Sequence, residues 1–106
     1  MARYLIVASY TVDGIRGVLE GGGTARRDAV SKTIAELGGR VESFDFAFGA
    51  EDAYVIVDLP DNVAAAAVGL AVAASGMVSS RTVVLLTPEE IDRAAATPVA
   101  YRAPGK

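Results

Sequence analysis

Four side chains of this 106-residue chain have the types and settings that suit ligand chemistry: the carboxylates Asp45 and Asp58, and the aromatic hydroxyls Tyr10 and Tyr54. The two acids sit inside β-type apolar runs, and a carboxylate in apolar surroundings is pushed toward its protonated form and can carry a proton. Together the four would line a cavity that takes a small organic molecule. The ordinary alternative is that Asp45 and Asp58 lie at strand ends, solvated or paired with Arg3 or Arg81. A second candidate is "GGGTARR", residues 21–27, where a glycine loop enters a helix whose first turn holds Arg26 and Arg27. Backbone amides and guanidinium groups there could hold a carboxylate or phosphate. No strand directly precedes this loop and it lacks the Lys and Ser/Thr pair of a P-loop, so nucleotide binding is not expected. The competing reading is a pair of solvated arginines beside a helix break.

Composition removes whole classes of chemistry. The chain has no histidine and no cysteine, which excludes disulfides, thiolate and imidazole catalysis and the usual transition-metal ligands. Neither a metal nor a cofactor is expected. Ten basic residues against 13 acidic ones give a net charge of −3, and the basic residues are scattered. Nucleic acid is not an expected partner, because phosphate binding needs a basic stripe. The longest apolar run, Val63 to Ala74 with Gly69 inside it, falls short of the roughly 20 residues that cross a bilayer, so no membrane partner is expected either. The opening "MARYLIVASYTVDG" carries one arginine and an apolar run too short for a secretory signal, making a cytoplasmic location the expectation.

The elements that must position these residues follow from pattern and punctuation. Residues 3–10, "RYLIVASY", read as a buried strand. Asp13 is placed to cap a short helix through Glu20, and the glycines at 21–23 break it. A second helical piece runs from Thr24, as N-cap, to Leu37, with Val30, Ile34 and Leu37 on one stripe, and Gly38 and Gly39 stop it. Strands at about 40–48 and 53–59 flank a tight turn, "GAED". Asp61 or Asn62 caps a helix from Val63 to about Ser75, and a last strand covers about 78–86. In "TPEE", Thr87, Pro88 and Glu90 form the start of a short helix with a capping box. The order strand, helix, strand, strand, helix, strand predicts a ferredoxin-like βαββαβ α+β domain over residues 1–97, with a four-stranded antiparallel sheet and an arm at 98–106.

The segment "VESFDFAFGAEDAYVIVDLPDN", 41–62, predicts which side chains share a face. A two- or four-residue turn places Phe44, Phe46 and Phe48 with Ala53, Val55, Val57 and Leu59, toward the helices. Ser43, Asp45 and Ala47 then fall with Tyr54, Ile56 and Asp58 on the other face. Truncating a buried phenylalanine such as Phe46 costs about 3 to 5 kcal/mol. Leu5, Ile6 and Val7, and Val83 to Leu86, put apolar groups on both faces of their strands, which predicts a sheet covered on both sides. The cover expected for the second face is another copy of the same sheet across a two-fold axis, making the chain at least a homodimer. The helix "NVAAAAVGLAVAASG" is apolar nearly all round and is expected to be buried between the sheet and a neighbouring chain.

The stretches "YLIVASYT", "GGGTARRDAVSKTIAELGGRVESFDFAFG", "DAYVIVDLPDN" and "LTPEE" together resemble the GYD domain family of small, mostly bacterial proteins, from about Tyr4 to Tyr101. The resemblance implies a ferredoxin-like fold of the dimeric α/β-barrel type and a family without an established reaction. Of the Gly, Tyr, Asp motif at the hairpin before the third strand, Gly49 and Asp52 match, and Glu51 stands in place of the tyrosine. Three functions follow as expectations: an oligomeric module that binds or regulates through a small organic or anionic ligand, a cofactor-independent isomerase or monooxygenase using Asp45 or Asp58 as base, and a purely structural oligomer subunit. The absence of histidine favours the first over the second, and fold alone does not choose among them.

Overall fold

Eight elements make up the protein, described over residues 1–106 in a computed structural model. In chain order they are β1 (Ala2–Tyr10), α1 (Val12–Gly21), α2 (Gly23–Glu36), β2 (Arg40–Phe46), β3 (Ala53–Leu59), α3 (Asn62–Ala74), β4 (Val78–Leu85) and α4 (Pro88–Ala96). The strands form one antiparallel sheet in the order β2-β3-β1-β4, which is the ferredoxin-like arrangement. β1 and β3, the two β-branched and aromatic runs, are central; the more polar β2 and β4 form the edges.

The helices are capped as their sequences dictate, with two differences from expectation. Thr11, not Asp13, is the N-cap of α1: its hydroxyl oxygen accepts the Gly14 N–H at 3.2 Å, and Asp13 lies in the first turn, 3.5 Å from Arg16. The break between α1 and α2 contracts to a single residue, Gly22, whose φ of +86° is open to glycine and strained for other residues. Thr24 is therefore already inside α2, which begins without a side-chain cap. Asp61 caps α3 by accepting the Ala64 N–H at 2.9 Å, and Thr87 and Glu90 complete the capping box of α4.

One face of the sheet carries the core. Tyr4, Val55, Val57 and Leu59 meet Ile34 of α2 and Val68 of α3 there, and the Tyr4 hydroxyl donates to Asn62 at the start of α3. The hairpin register pairs Phe44 with Val55, Asp45 with Tyr54 and Phe46 with Ala53, so the phenylalanines of β2 do point toward the helices. They are not equally buried. Phe44 packs against the core, whereas Phe46 is 45% exposed, its ring lying 5.3 Å from that of Phe44 and over Gly23. Phe48 lies beyond the end of the strand and is fully exposed. Leu37 also falls outside the core, and Val63 and Leu70 leave the outer side of α3 open.

The second face of the sheet is roofed by charged side chains with long apolar stems. A β-bulge between Val41 and Ser43 shifts the pairing by one residue, so that Val41 as well as Phe44 packs against the core. Beside it Glu42 takes a two-pronged pair with Arg3, at 2.7 and 3.0 Å, and Arg40 lies 3.0 Å from Asp58. Arg81 holds Glu51 at 3.1 Å, and Glu51 also accepts the Tyr54 hydroxyl at 3.2 Å. Val7, which pairs with Tyr54 on one side and Arg81 on the other, is only 2% exposed beneath them. Arginine stems cover apolar surface while their heads stay in water. The partners expected from sequence were different: Asp58 pairs with Arg40, and Arg3 and Arg81 serve Glu42 and Glu51.

From the end of β4 the chain runs outward. Every residue from 86 to 106 is exposed except Glu90, and the molecule measures 57 × 33 × 24 Å with a radius of gyration of 16.9 Å, against about 13 Å for a compact domain of this length. Packing ranks the substitutions. Leu59→Ala should lower the unfolding free energy by about 2 to 5 kcal/mol, Phe48→Ala should leave it within about 0.5 kcal/mol, and Phe46→Ala should fall between, below the cost of a buried phenylalanine. Urea denaturation of the three variants checks the order; equal losses at Phe48 and Leu59 would refute it.

Candidate functional site

The interior between sheet and helices is incompletely filled. Small side chains at Ala8 and Ala53 on the sheet and Ala29 on α2, with Val30, Phe44, Val68 and Val72, line a chamber of about 150 Å³ whose 15 lining residues include 12 hydrophobic ones. A cavity of that size takes one small ring when its walls are apolar. The chamber shares Tyr10, Arg26, Ala29, Thr33, Val72 and Val78 with a wider cleft of about 610 Å³ between α1, α2 and the end of α3. The two spaces adjoin, and Tyr10 and Arg26 line both.

Each of those two residues is held from a different direction. Tyr10 ends β1, and its backbone N–H donates to the Asp52 carboxylate at 2.8 Å. Arg26 lies in the first turn of α2, and its guanidinium stands 5.8 Å from the centre of the Tyr10 ring, within the range of a cation–π contact. The Arg26 Nε is buried with no hydrogen-bond partner. Arg3, Arg16, Arg27, Arg40 and Arg81 are all ion-paired; Arg26 is in none of those pairs.

The other candidate residues lie elsewhere. Arg27, the neighbour of Arg26, turns to Asp28 at 3.2 Å and is exposed. Asp45 is exposed on the roofed face, opposite Tyr54. Asp58 shares that face, its side chain 18% exposed and tied to Arg40. Thus Tyr10 and Arg26 come together at the chamber, while Asp45, Tyr54 and Asp58 are on the far side of the sheet from it. On that far side Arg81 holds the Glu51 carboxyl below its ordinary range, and Arg3 does the same for Glu42, each chiefly through a direct hydrogen bond.

Asp52 is the residue that spacing alone did not single out for this site. It makes three backbone-directed bonds of 2.8 Å: its carboxylate accepts from Tyr10, its N–H donates to Ala8, and its carbonyl accepts from Ala47. With Gly49 in the turn at a φ of +102°, it closes the β2–β3 hairpin against the end of β1. The signal was present as an acid directly before a strand, where a side chain can replace a missing ladder partner.

The GYD domain model matches residues 4–95 of the chain. No curated protein and no solved structure matches it. Asp52→Ala would leave the Tyr10 N–H unsatisfied, and losing a bond to a charged acceptor typically costs about 1.5 to 3 kcal/mol. Chemical denaturation should show a loss of that size, with a smaller loss for Asp52→Asn, which keeps an acceptor oxygen. Full stability in Asp52→Ala would show that the clasp contributes nothing.

Proposed function

The chain belongs to the GYD domain family, and on this fold we propose that it is a small-molecule-binding module whose ligand enters through the cleft and seats in the chamber between sheet and helices. The observation that carries this reading is a preformed, mostly apolar chamber opening to solvent past a few polar groups, the usual composition of a ligand site. Binding is favoured over conversion because the only titratable side chains lining the chamber are Tyr10 and Arg26. The two acids that could serve as a base, Asp45 and Asp58, face away from it. Methyl NMR tests the site: small aromatic compounds should shift the methyl resonances of Val30, Val68 and Val72, and Ala53→Leu, which fills the chamber, should abolish those shifts. Unmoved methyls at millimolar concentrations of every compound would reject the reading.

We further propose that the module works as a homodimer. The support is the row of exposed apolar residues on the projecting segment, Leu86, Ile91, Val99 and Tyr101, together with a sheet face whose cover consists of side chains rather than a layer of structure. A second copy would remove these groups from water. Sedimentation equilibrium at micromolar concentration should give twice the mass of one 10.9 kDa chain; a monomer would reject the dimer and leave the ligand site untouched.

A further inference from the structure

Resting on the reading of the chamber as a ligand site, we infer that its ligand is a small organic carboxylate with a single ring or a short branched chain, its apolar body in the chamber and its carboxylate on Arg26. Size sets the first limit. About 150 Å³ accommodates roughly a six-membered ring, which excludes nucleotides, long acyl chains and peptides from the inner space.

Charge sets the second. Arg26 is the one charged residue of the chamber wall. The wider cleft adds a single acid, Asp13, and that acid lies beside Arg16. A guanidinium partly withdrawn from water, with its Nε buried and unpartnered, carries a desolvation cost that an anion relieves. Its planar fork matches the two oxygens of a carboxylate. Tyr10 beneath the guanidinium fixes its position without neutralising it. Asp13 is the only acidic side chain that a ligand cation would meet in either space.

Three probes of one size and different charge separate the possibilities: benzoate, benzyl alcohol and benzylammonium, titrated at neutral pH into the full-length protein and followed by methyl NMR. Benzoate should bind roughly 10- to 100-fold more tightly than benzyl alcohol, the range expected for charge-assisted hydrogen bonds, and benzylammonium should bind weakest. Arg26→Gln should bring benzoate down to the level of benzyl alcohol. Arg26→Lys, which keeps the charge but not the fork, should retain part of the preference. Equal binding of benzoate and benzyl alcohol by the unaltered protein would overturn the carboxylate assignment while leaving chamber binding intact. So would a benzoate affinity indifferent to Arg26→Gln. Failure of all three probes to reach the chamber would overturn both the assignment and the site beneath it.

Discussion

A central strand with apolar side chains on both faces must be covered on both faces, and β1 sets that condition for the whole molecule. Tyr4, Ile6 and Ala8 point one way and Leu5 and Val7 the other, as strand geometry requires. Two helices behind the sheet meet the first demand. Within the chain the second is met only in part, by side chains: Arg3, Arg40 and Arg81 lie over the opposite face, fixed by Glu42, Asp58 and Glu51. Exposed ion pairs contribute little to stability by themselves. Their value here is positional, since each holds an arginine stem over apolar surface that would otherwise meet water.

The hairpin and the chamber are joined through one residue. Asp52 fixes the backbone of Tyr10 from the β3 side, and the Tyr10 ring supports Arg26 from below. The turn containing Gly49 and Asp52 is thus two contacts away from Arg26, the one cation of the chamber wall. Glu51, between them, reaches to the other face of the sheet and holds Arg81 and Tyr54. Two consecutive residues, Glu51 and Asp52, therefore serve both layers of the domain. A change in this turn would be felt on both sides of the sheet.

Much of this architecture was legible in the residues. The strand ends at Ala53 and Leu59, the Asp61 cap and the Thr87–Glu90 capping box each have a local physical cause, and local causes can be read locally. The hairpin register followed from the segregation of apolar side chains, and β2 obeys it from Ser43 onward. The bulge at Glu42 was not legible, because the contacts that go with it, Glu42 with Arg3 and Val41 with the core, are distant in sequence. The start of α1 was misplaced for a related reason: Thr11 and Asp13 are both good caps, and the end of β1 is tied to Met77, whose carbonyl accepts from the Thr11 N–H at 2.9 Å, which favours the first. As for the candidate site, residue type pointed to Tyr10 and Arg26 separately. Only the fold could show that they meet, and that Asp45, Tyr54 and Asp58 lie across the sheet from them.

The chamber owes its existence to three alanines rather than to any specialised loop. Ala8, Ala53 and Ala29 stand on the two central strands and on α2, and each leaves space that a larger side chain would occupy. Adding or removing single methyl groups at these positions would reshape the interior without altering a cap, a turn or a strand register. Selectivity in such a scaffold can therefore drift by small steps while the fold stays constant. Descendants of one such chain could come to prefer different molecules, yet remain alike in every feature by which their kinship is recognised.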